Sequence, residues 1–595
     1  MKIIHRLGKR AVKKAGEGSF LLTDRAGNFF SLGSPQNITH MQGLFHLTSE
    51  WKMYKSVENI YPDKEISEVE NFFEGAIRRY GSSEEEFRLT STALIYEMRG
   101  YDGWVNLDLD FREMYDFDEE GRFYEVDKED DIVIVYYKKH DKYLAIKGVD
   151  GYEVVGNWQY QHYNYDESRN SKANFYVYKA LRIKCEDSLK LFLSFSDSKD
   201  EAIRYAKSAS VNEEKLKGVV KHRLDKICNH KDINVNTVFN ALESLRTVTN
   251  EGEGVFAGLP WFYQFWSRDE LISLKAFMLQ GEYDFVKKKL MDYLELIDDN
   301  GRIPNRFPDS KLGSADGIGW LFKRVYDFLT ILDSEGKLGE YFSHAYLEEI
   351  KHKLHFCIEE HMALYTQNHA IVNDSGETWM DTTSGKDDAR AGACIEINAL
   401  FLGFFRLMKL LCKHLNLTYY GYGSLEKMLS ERVKKLFYHK GMLLDRLGDS
   451  TIRPNVFIAY YAYPDLLKKR EWRVVFDRTI KRLWLDWGGF TTIEKDHPLY
   501  HEKYSGEGDE SYHRGDSWFW INNLAAVCMA DLDKDYYDYH IDHLHKVAEK
   551  EMLFSGIIGH CSELSSAKSL RSEGCLAQAW SAAMLIEMYN SLDLL

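Results

Sequence analysis

The spacing of apolar residues changes near residue 196, and this change limits most strongly what the chain can fold into. Before it, apolar and polar residues alternate, as in the run that contains Val105, Leu107, Leu109 and Phe111. Alternation places one set of side chains on one face of a strand. After it, apolar residues recur at intervals of three and four, which is the spacing of one helix face. A strand-rich part is therefore followed by a helical part.

These two parts predict a multi-domain β + α organisation. Residues 1–196 hold several strand-like runs separated by turn-forming residues, which predicts an N-terminal antiparallel β-sandwich. Residues 197–234 contain charge-rich helical runs, which we expect to form an exposed helical linker. Residues 235–595 leave room for about a dozen helix-and-loop units of about 30 residues each. An α/α toroid is the simplest architecture for this helical domain.

The charge balance disfavours some partners. Lys and Arg number 77 against 93 Asp and Glu, which gives a net charge of −16, and no basic run offsets it. Nucleic acid is therefore not an expected partner. The longest apolar stretch, 399–405, is too short to cross a bilayer, and the basic start MKIIHRLGKRAVKK has no apolar segment behind it. We expect a cytoplasmic protein without a membrane partner; the sequence makes no prediction of oligomeric state.

Cysteine usage gives no sign of a metal site. The eight cysteines are scattered and form no C-x-x-C pair. This pattern argues against a disulfide framework and against a zinc site. Because no other set of metal ligands stands out, we predict neither a metal nor a cofactor.

The run 258–270, GLPWFYQFWSRDE, is the first of five segments in the helical part that concentrate Trp, Gly and acidic residues. Ser267 and Glu270 have the spacing of a capping box, which predicts a helix start with Arg268 and Asp269 in its first turn. Such a pair can bind vicinal sugar hydroxyls. It is equally compatible with a capped helix that carries a local ion pair.

An aromatic platform for a sugar ring is expected beside that pair, supplied by Trp261 or Trp266. The other four segments have the same composition. They are ETWMD at 377–381 with its continuation to Asn398, RPN at 453–455, YHRGDSWFW at 512–520, and CSE at 561–563 with GCLAQAW at 574–580.

Two carboxyl groups from these segments are candidates for glycoside hydrolysis. That reaction needs one protonated carboxyl group to assist the leaving oxygen and one ionised carboxylate on the other face of the sugar. Asp381 and Glu563 are the candidates for this pair. Any single carboxylate of this kind is more often solvated or capping a helix, so the inference depends on the combination.

The combined order of PWFxxFWSRDE, ETWMD, RAGxxIEINAL, RPN, YHRGDSWFWI and SEL…GCLAQAWS resembles the glycogen debranching enzyme family. The resemblance is to its amylo-α-1,6-glucosidase domain and to stand-alone archaeal and bacterial relatives, and it covers about residues 240–595. The N-terminal half is similar more weakly. The resemblance implies an (α/α)6 barrel and an inverting mechanism related to that of glucoamylase.

The resemblance also implies roles for individual residues. Asp381 matches the general acid and Glu563 the general base, while Arg268 and Asp269 match the pair that holds the terminal glucose. The remaining expected substrate-binding side chains are Trp266, Trp379, His513, Trp518, Gln578 and Trp580.

The sequence departs from the family pattern in a few places. Ser267, Glu270 and Phe519 stand where the family usually has Gly, Thr and Pro, so the wall of the cleft is expected to differ. Glu377 is a rival for the role of acid that the motif disfavours. Glu396 could contact a sugar hydroxyl, but we favour a structural role for it.

The predicted function is an exo-acting inverting amylo-α-1,6-glucosidase that releases glucose from branch stubs of a glycogen-type polymer. Its expected partner is an α-glucan or oligosaccharide substrate. One alternative is an inverting α-glucosidase of the same fold that acts on trehalose, glucosylated small molecules or α-1,4 ends. Another is a phosphorylase, in which phosphate replaces water, and the last is a non-catalytic glycan-binding protein.

Overall fold

A computed structural model of the chain describes residues 1–7, 10–15, 18–227, 229–308, 312–383 and 390–595. One of the eight cysteines, Cys228, lies outside these ranges. By packing, the chain divides into two compact units. The first comprises Met1–Tyr263, Lys550–Cys561 and Cys575–Ala577, and the second comprises Gln264–Glu549, Ser562–Gly574 and Gln578–Leu595. The domain limits at residues 196 and 234 remain predictions from sequence.

Seventeen strands of the described chain form the two large sheets of the first unit. They are β1 Lys2–Leu7, β2 Arg10–Ala15, β3 Phe20–Thr23, β4 Phe29–Leu32, β5 Gly43–Leu47, β6 Met53–Pro62, β7 Glu68–Asn71, β8 Ala76–Tyr80, β9 Ser83–Leu89, β10 Leu94–Arg99, β11 Gly103–Glu113, β12 Tyr124–Glu129, β13 Ile132–Tyr137, β14 Lys142–Lys147, β15 Tyr152–His162, β16 Asn174–Cys185 and β17 Ser188–Ser196.

The ten-stranded sheet has the order β12-β13-β14-β17-β10-β9-β8-β7-β1-β2, and the seven-stranded sheet has the order β15-β16-β11-β6-β5-β4-β3. Their pairing is antiparallel apart from β1 with β7. Both sheets contribute to one apolar core, with Phe87 and Tyr96 from the first and Leu107, Leu109 and Phe111 from the second. The alternation in β11 therefore marks a buried face as predicted, and the β-sandwich is confirmed.

Fifteen α-helices lie in the described ranges, together with two short 3-10 helices, Pro464–Leu466 and Gly506–Gly508. The α-helices are α1 Asn164–Ser168, α2 Lys199–Val211, α3 Glu213–Ile227, α4 Ile233–Leu245, α5 Ser267–Leu279, α6 Tyr283–Glu295, α7 Gly317–Ser334, α8 Leu338–Tyr341, α9 His344–Leu364, α10 Ile395–His414, α11 Tyr420–Phe437, α12 Asn455–Ala462, α13 Lys469–Leu483, α14 Phe519–Phe554 and α15 Ala579–Ser591. Extended backbone at Asp533 divides α14 into two parts. None of the helices in these ranges is both long and apolar enough to cross a membrane.

Helix α2 corrects the expectation of an exposed linker. Its Ala202, Ala206 and Ala209 are buried, and the helix packs on β14 and β17. Ala202 and Ala206 share a small apolar cluster with Ile132 and Ile134 of β13. Small side chains at i, i+4 and i+7 make one narrow face that fits closely on a sheet, so only the charged side of α2 remains exposed.

The second unit is built on a ring of inner helices. Helix α5 packs against α15 and α7, and α10 packs against α7 and α12. The first part of α14 closes the ring, because the Cys528 thiol donates to the carbonyl of Phe457 in α12 and the Asn523 amide donates to that of Ser581 in α15. The predicted (α/α)6 arrangement is confirmed.

Twelve short strands make two-residue to four-residue ribbons in the connections. They are β18 Arg246–Thr249, β19 Gly252–Val255, β20 Gly258–Leu259, β21 Phe265–Trp266, β22 Arg306–Phe307, β23 Thr366–Gln367, β24 Ala370–Ile371, β25 Tyr438–His439, β26 Met442–Leu443, β27 Ser517–Trp518, β28 Leu564–Ser565 and β29 Ala577–Gln578. Strands β21, β27 and β29 run directly into α5, α14 and α15, so these ribbons fix how the inner helices begin.

Candidate active site

The N-terminal ends of the six inner helices carry most of the polar residues singled out from the sequence. These are Arg268 and Asp269 in α5, Glu396 in α10, Asn455 in α12 and Gln578 before α15. Two further residues stand at the same helix ends, Trp518 before α14 and Asp316 before α7, and Asp316 was not singled out from the sequence. The contacts below join them to Asp381 and Glu563, which lie in loops. The site is therefore at the N-terminal end of the ring, where loops from distant parts of the chain meet.

The capping box expected at the start of α5 is wrong. Helix α5 begins at Ser267, with Trp266 in the N-cap position, and its end has no side-chain cap. The Ser267 hydroxyl donates to the carbonyl of Pro304, because the β21–β22 ribbon brings that segment alongside. Glu270 accepts from the Tyr293 hydroxyl at 2.6 Å. The first turn is fixed by tertiary contacts, and Arg268 and Asp269 still lie in it.

Arg268 and Asp269 do not form the local ion pair that the sequence allowed. The Arg268 guanidinium binds both carboxylate oxygens of Asp316, at 2.6 and 3.0 Å. Asp269 Oδ1 accepts from the Gln578 side-chain amide at 3.0 Å. All four side chains are buried. Each member of the pair is thus held by a partner on another inner helix end, which fixes its direction.

Asp269 is protonated more readily than an ordinary aspartate. Burial raises its pKa to about 7, and the negative charge of Glu563 adds to the rise, while Arg268 and the hydrogen bond from Gln578 oppose it. The charge of Glu563 therefore favours the protonated form of Asp269.

Asp381 follows two buried residues, Trp379 and Met380, which anchor its loop. The Trp379 indole donates to Asn455 Oδ1 at 2.7 Å, and the Met380 sulfur accepts from the Asn455 amide at 3.5 Å. The Asp381 side chain itself is exposed. Although the residue is exposed, the protein around the carboxyl group removes enough of its hydration to raise its pKa to about 6, against the attraction of Arg268.

A buried charge network lies behind the Trp379 loop. Arg390 binds both carboxylate oxygens of Glu396 and also donates to Asp445 Oδ2 at 2.8 Å. Asp445 Oδ1 accepts from the amide of Asn455 at 2.8 Å, and Asn455 holds Trp379. All of these residues are buried. The contacts of Glu396 fit the structural role favoured from the sequence.

Glu377, the rival acid, is engaged elsewhere. Its Oε1 accepts from the Arg302 guanidinium at 2.7 Å, and its Oε2 accepts from the backbone N–H of Asp374 at 2.8 Å. Both oxygens of this carboxyl group therefore accept hydrogen bonds that hold its loop in place.

Glu563 is buried and has a defined orientation. The Tyr512 hydroxyl donates to its Oε1, and its backbone carbonyl accepts from the N–H of Phe519 at the start of α14. The next residue, Leu564, exchanges two backbone hydrogen bonds with Glu573. Gly574 has a φ of +67°, and a Cβ there would collide with Oε2 of Glu563. Glycine therefore suits both the backbone and the space at this position.

The expected aromatic lining forms one buried cluster. The ring of His513 stacks on Trp518 with centroids 5.2 Å apart, and Trp580 stacks on Trp520 at 4.8 Å. Trp379 meets the edges of His513, Trp518 and Trp520 at 5.0–5.5 Å. These rings are almost fully buried and pack on one another. Their predicted contact with sugar stays a prediction.

His513 is neutral in this cluster. Burial, followed by the charges of Arg514 and Arg453, lowers its pKa well below the usual range. Its Nδ1 lies 2.9 Å from the hydroxyl of Thr382, the residue after Asp381. His513 therefore connects the aromatic cluster to the loop that carries Asp381.

The two tryptophans proposed as platforms have cations over their rings. Trp266 is half-buried, with the Arg306 guanidinium 5.2 Å from its ring centroid. Trp261 is buried, and the Arg169 guanidinium lies 3.7 Å from its ring centroid. One face of Trp261 is thus occupied by a side chain rather than open to a ligand.

A family model described as amylo-alpha-1,6-glucosidase matches residues 221–587. The chain belongs to the amylo-alpha-1,6-glucosidase family. Membership confirms the resemblance seen in the motifs, and it makes the chain a glycoside hydrolase.

One solved structure has the same fold as this chain over nearly its whole length. A bacterial glucoamylase complexed with acarbose superposes with a TM-score of 0.65 at 13% identity, covering 98% of this chain and 95% of that chain. A glycosidase in complex with glucose and a wild-type glycosidase give TM-scores of 0.44 and 0.43 at 13% identity, covering 63% of this chain and 99% of theirs. No curated protein matches the chain in sequence.

Three site residues of this family member were not singled out from the sequence for the contacts they make. Asp316 holds Arg268, Asp445 holds Arg390, and Tyr512 donates to Glu563. Asp316 stands directly before α7 in a Ser-Ala-Asp-Gly run, a helix-start pattern that could have drawn attention to it. Asp445 has no comparable local signal. Within the described ranges, no group of three His, Cys, Asp or Glu side chains is arranged to hold a metal ion.

Proposed function

We propose that this chain is an inverting, exo-acting amylo-α-1,6-glucosidase that releases glucose from branch stubs of glycogen-type α-glucans. The observation that carries the proposal is the contrast between two carboxyl groups at the same end of the ring. Asp381 is exposed at the site with a pKa raised to about 6, and Glu563 is buried and accepts a hydrogen bond from Tyr512. Acid and base roles require such a difference in surroundings.

In the proposed reaction, protonated Asp381 donates its proton to the glycosidic oxygen as the bond from that oxygen to the anomeric carbon breaks. A water molecule attacks the anomeric carbon from the opposite face, and Glu563 accepts the proton that this water loses. The oxygen of water replaces the leaving oxygen on the opposite side, so an α-linked substrate gives β-glucose. Proton exchange with solvent then restores both carboxyl groups.

The fixed directions of Arg268 and Asp269 support the exo assignment. The guanidinium supplies donors and the carboxyl group supplies acceptors, and each is held by a buried partner. Groups fixed in this way are suited to the outer hydroxyls of one terminal glucose, and orienting that sugar lowers the entropic cost of attack.

A limit dextrin whose outer branches have been trimmed to single α-1,6-linked glucose residues is the substrate that tests the proposal. We expect free glucose in buffer without phosphate, and no increase when phosphate is added. Glucose-1-phosphate as the sole product would overturn hydrolysis, because phosphate would then be the nucleophile. Parallel assays on panose, isomaltose, maltotriose and trehalose test the linkage, and preference for maltotriose or trehalose would refute the α-1,6 assignment.

The identity of the acid is tested with matched variants. Asp381→Asn removes the proposed proton donor, whereas Glu377→Gln changes a carboxyl group four residues earlier whose oxygens already have partners. We expect Asp381→Asn to lose about 100- to 10,000-fold in kcat on limit dextrin. Glu377→Gln should retain far more activity, and the reverse order would transfer the role to Glu377.

A further inference from the structure

A polar cleft opens on the sandwich, and none of the residues that line it belongs to the candidate active site. It has a volume of about 530 Å³ and is bordered by residues of β6, β11, β15 and β16. Ligand sites in proteins usually have volumes of about 300–1,000 Å³. The cleft is therefore large enough for an organic ligand, and nothing in the hydrolytic mechanism uses it.

The floor of the cleft is a polar row on one face of the seven-stranded sheet. Lys179 of β16 pairs with Asp108 of β11, and Asp108 pairs with Asn59 of β6. Directly paired residues project to the same face of a sheet. On β15, Gln159 and Gln161 also line the cleft.

Hydrogen bonds hold this floor in place. Lys179 Nζ donates to the Tyr61 hydroxyl at 2.6 Å, and that hydroxyl donates to Asp108 Oδ2 at 3.1 Å. Lys179 also lies 3.3 Å from Asp108 Oδ2. The Tyr61 ring, Pro62 and Val177 add apolar surface beside these groups. The lining thus combines ordered polar atoms with patches that can cover the C–H faces of a ligand.

The charged side chains of the lining are balanced, which argues against an ionic ligand. The acidic ones are Glu58, Glu65 and Asp108, and the basic ones are Lys64, Arg78 and Lys179. The uncharged polar ones are the hydroxyls of Tyr61 and Tyr80 and five side-chain amides, namely Gln36, Asn37, Asn59, Gln159 and Gln161, of which Asn37 already bonds Gly33 and Glu58. An amide offers a donor and an acceptor side by side, which matches adjacent hydroxyl groups. A neutral ligand rich in hydroxyl groups is the best fit.

We propose that this cleft is a second glycan-binding site, which takes a short segment of the α-glucan polymer while the ring holds a chain end. The inference rests on the proposed function for the choice of α-glucan among neutral polyhydroxyl ligands. Two contacts with one polymer raise the apparent affinity without any new contact at the reacting bond. The site therefore increases affinity for polymeric substrate and has no effect on short substrates.

Strand β15 offers a matched control, because its two faces differ. Gln159 and Gln161 line the cleft, whereas Tyr160 between them projects to the opposite face and is 57% exposed. The test variant is Gln159→Ala/Gln161→Ala, and the control is Tyr160→Ala. All of these side chains are wholly or partly solvent-exposed, so the variants should fold like the parent.

Binding is measured by native gel electrophoresis of the full chain in gels containing glycogen. The Asp381→Asn background prevents digestion of the glycogen. We expect Gln159→Ala/Gln161→Ala to bind glycogen about tenfold more weakly than the parent and Tyr160→Ala to bind equally well. Equal retardation of the double variant and the parent would overturn the proposal, and loss of binding in Tyr160→Ala alone would assign glycan binding to the aromatic face instead.

Panose hydrolysis by the chain with intact Asp381 separates this inference from the proposed function. The Gln159→Ala/Gln161→Ala variant should keep the kcat/KM of the unmodified chain on panose, because neither substitution changes a residue of the candidate active site. Failure of the unmodified chain to hydrolyse panose would count against the proposed function, while the gel result would still decide whether the cleft binds glycogen.

Discussion

The hydroxyl of Tyr512 donates a hydrogen bond to Oε1 of Glu563, and the two residues come from loops on either side of the long helix α14. Tyr512 is itself held in place, because its carbonyl accepts from the Trp518 indole at 2.7 Å. The orientation of the proposed base therefore depends on a neighbour whose position is fixed by the aromatic cluster.

Replacing Tyr512 by Phe should lower kcat about ten- to a hundredfold with little change in KM. The substitution removes one hydrogen bond to a carboxylate, a contact worth about 1.5–3 kcal/mol, while the ring continues to fill its space. Steady-state kinetics on limit dextrin measures both constants. Tyr500→Phe, which changes a half-buried tyrosine nearby, is the control and should be neutral. Unchanged kcat in Tyr512→Phe would contradict the positioning role.

The activity should decline above about pH 6 if Asp381 is the acid. Its pKa is raised to about 6, and only the protonated form can donate to the leaving oxygen. We expect kcat/KM to fall about tenfold per pH unit above that value. Asp269 has a pKa of about 7, so its ionisation could also cause a decline in activity with rising pH. If Asp381 is the acid, the residual activity of Asp269→Asn should still decline above about pH 6.

The Asp381→Asn variant should hydrolyse α-glucosyl fluoride without the decline above about pH 6. Its hydrolysis of the fluoride should also be impaired much less than its hydrolysis of limit dextrin. Fluoride departs with little need for protonation. If the fluoride and the dextrin reactions were impaired equally, Asp381 would not be the proton donor.

The first product should be β-glucose. An inverting enzyme needs room for water between its base and the anomeric carbon, so we predict that the Asp381 and Glu563 carboxyl groups lie about 6.5–9.5 Å apart in the complex with substrate, against about 5–5.5 Å for a retaining pair. Proton NMR of the early reaction distinguishes the anomers before they interconvert. Early α-glucose would refute the roles of both residues.

Asp269→Asn should inactivate the enzyme yet stabilise the fold at neutral and higher pH. In the folded chain the pKa of Asp269 is about 7, above the usual value of about 3.9 for an unfolded chain. Between these values the folded state binds the extra proton, so the free energy of unfolding falls as pH rises. Asparagine does not ionise, and its oxygen can still accept from Gln578.

Thermal melts at pH 4 and pH 8 measure this effect. The variant should melt with the parent at pH 4 and at a higher temperature than the parent at pH 8. A lower melting temperature for the variant at pH 8 would show that Asp269 stabilises the fold. It would contradict the claim that the buried carboxyl group costs stability and is kept for catalysis.

Glu396→Ala should destabilise the chain by about 3–5 kcal/mol, because it leaves Arg390 buried with one of its carboxylate partners removed. Urea denaturation gives the free energy of unfolding. Glu359→Ala, which changes an exposed residue on α9, is the control and should cost about 0.5 kcal/mol or less. A stable but inactive Glu396→Ala protein would instead favour contact with the substrate.

The sequence predicts the architecture of the site because its main features are local. The ring follows from helical spacing, and Asp381 and Glu563 stand in short motifs that remain contiguous in the fold. Partners were harder to predict, since Arg268 and Asp316 are 48 residues apart and Arg390 and Asp445 are 55 residues apart. Which loops meet at the ring end is decided by helix packing, and no local pattern encodes it.

The wrong prediction at the start of α5 has the same cause. Ser267 and Glu270 have the spacing of a capping box, but Pro304 and Tyr293 offer them partners that the local sequence does not reveal. Helix α2 is a similar case, since its charged residues dominate its composition while three alanines determine its packing. In both places tertiary contacts outweigh a local preference.

The close approach of Gly574 to Glu563 has a consequence for interpreting genomes. A side chain at this position would strain the backbone and displace the carboxyl group of the proposed base, even though every acidic residue of the motifs would still be present. A related gene that keeps both carboxylates but encodes a larger residue here should specify an inactive protein. The position can therefore serve as a marker that separates working copies from decayed ones when only their sequences are known.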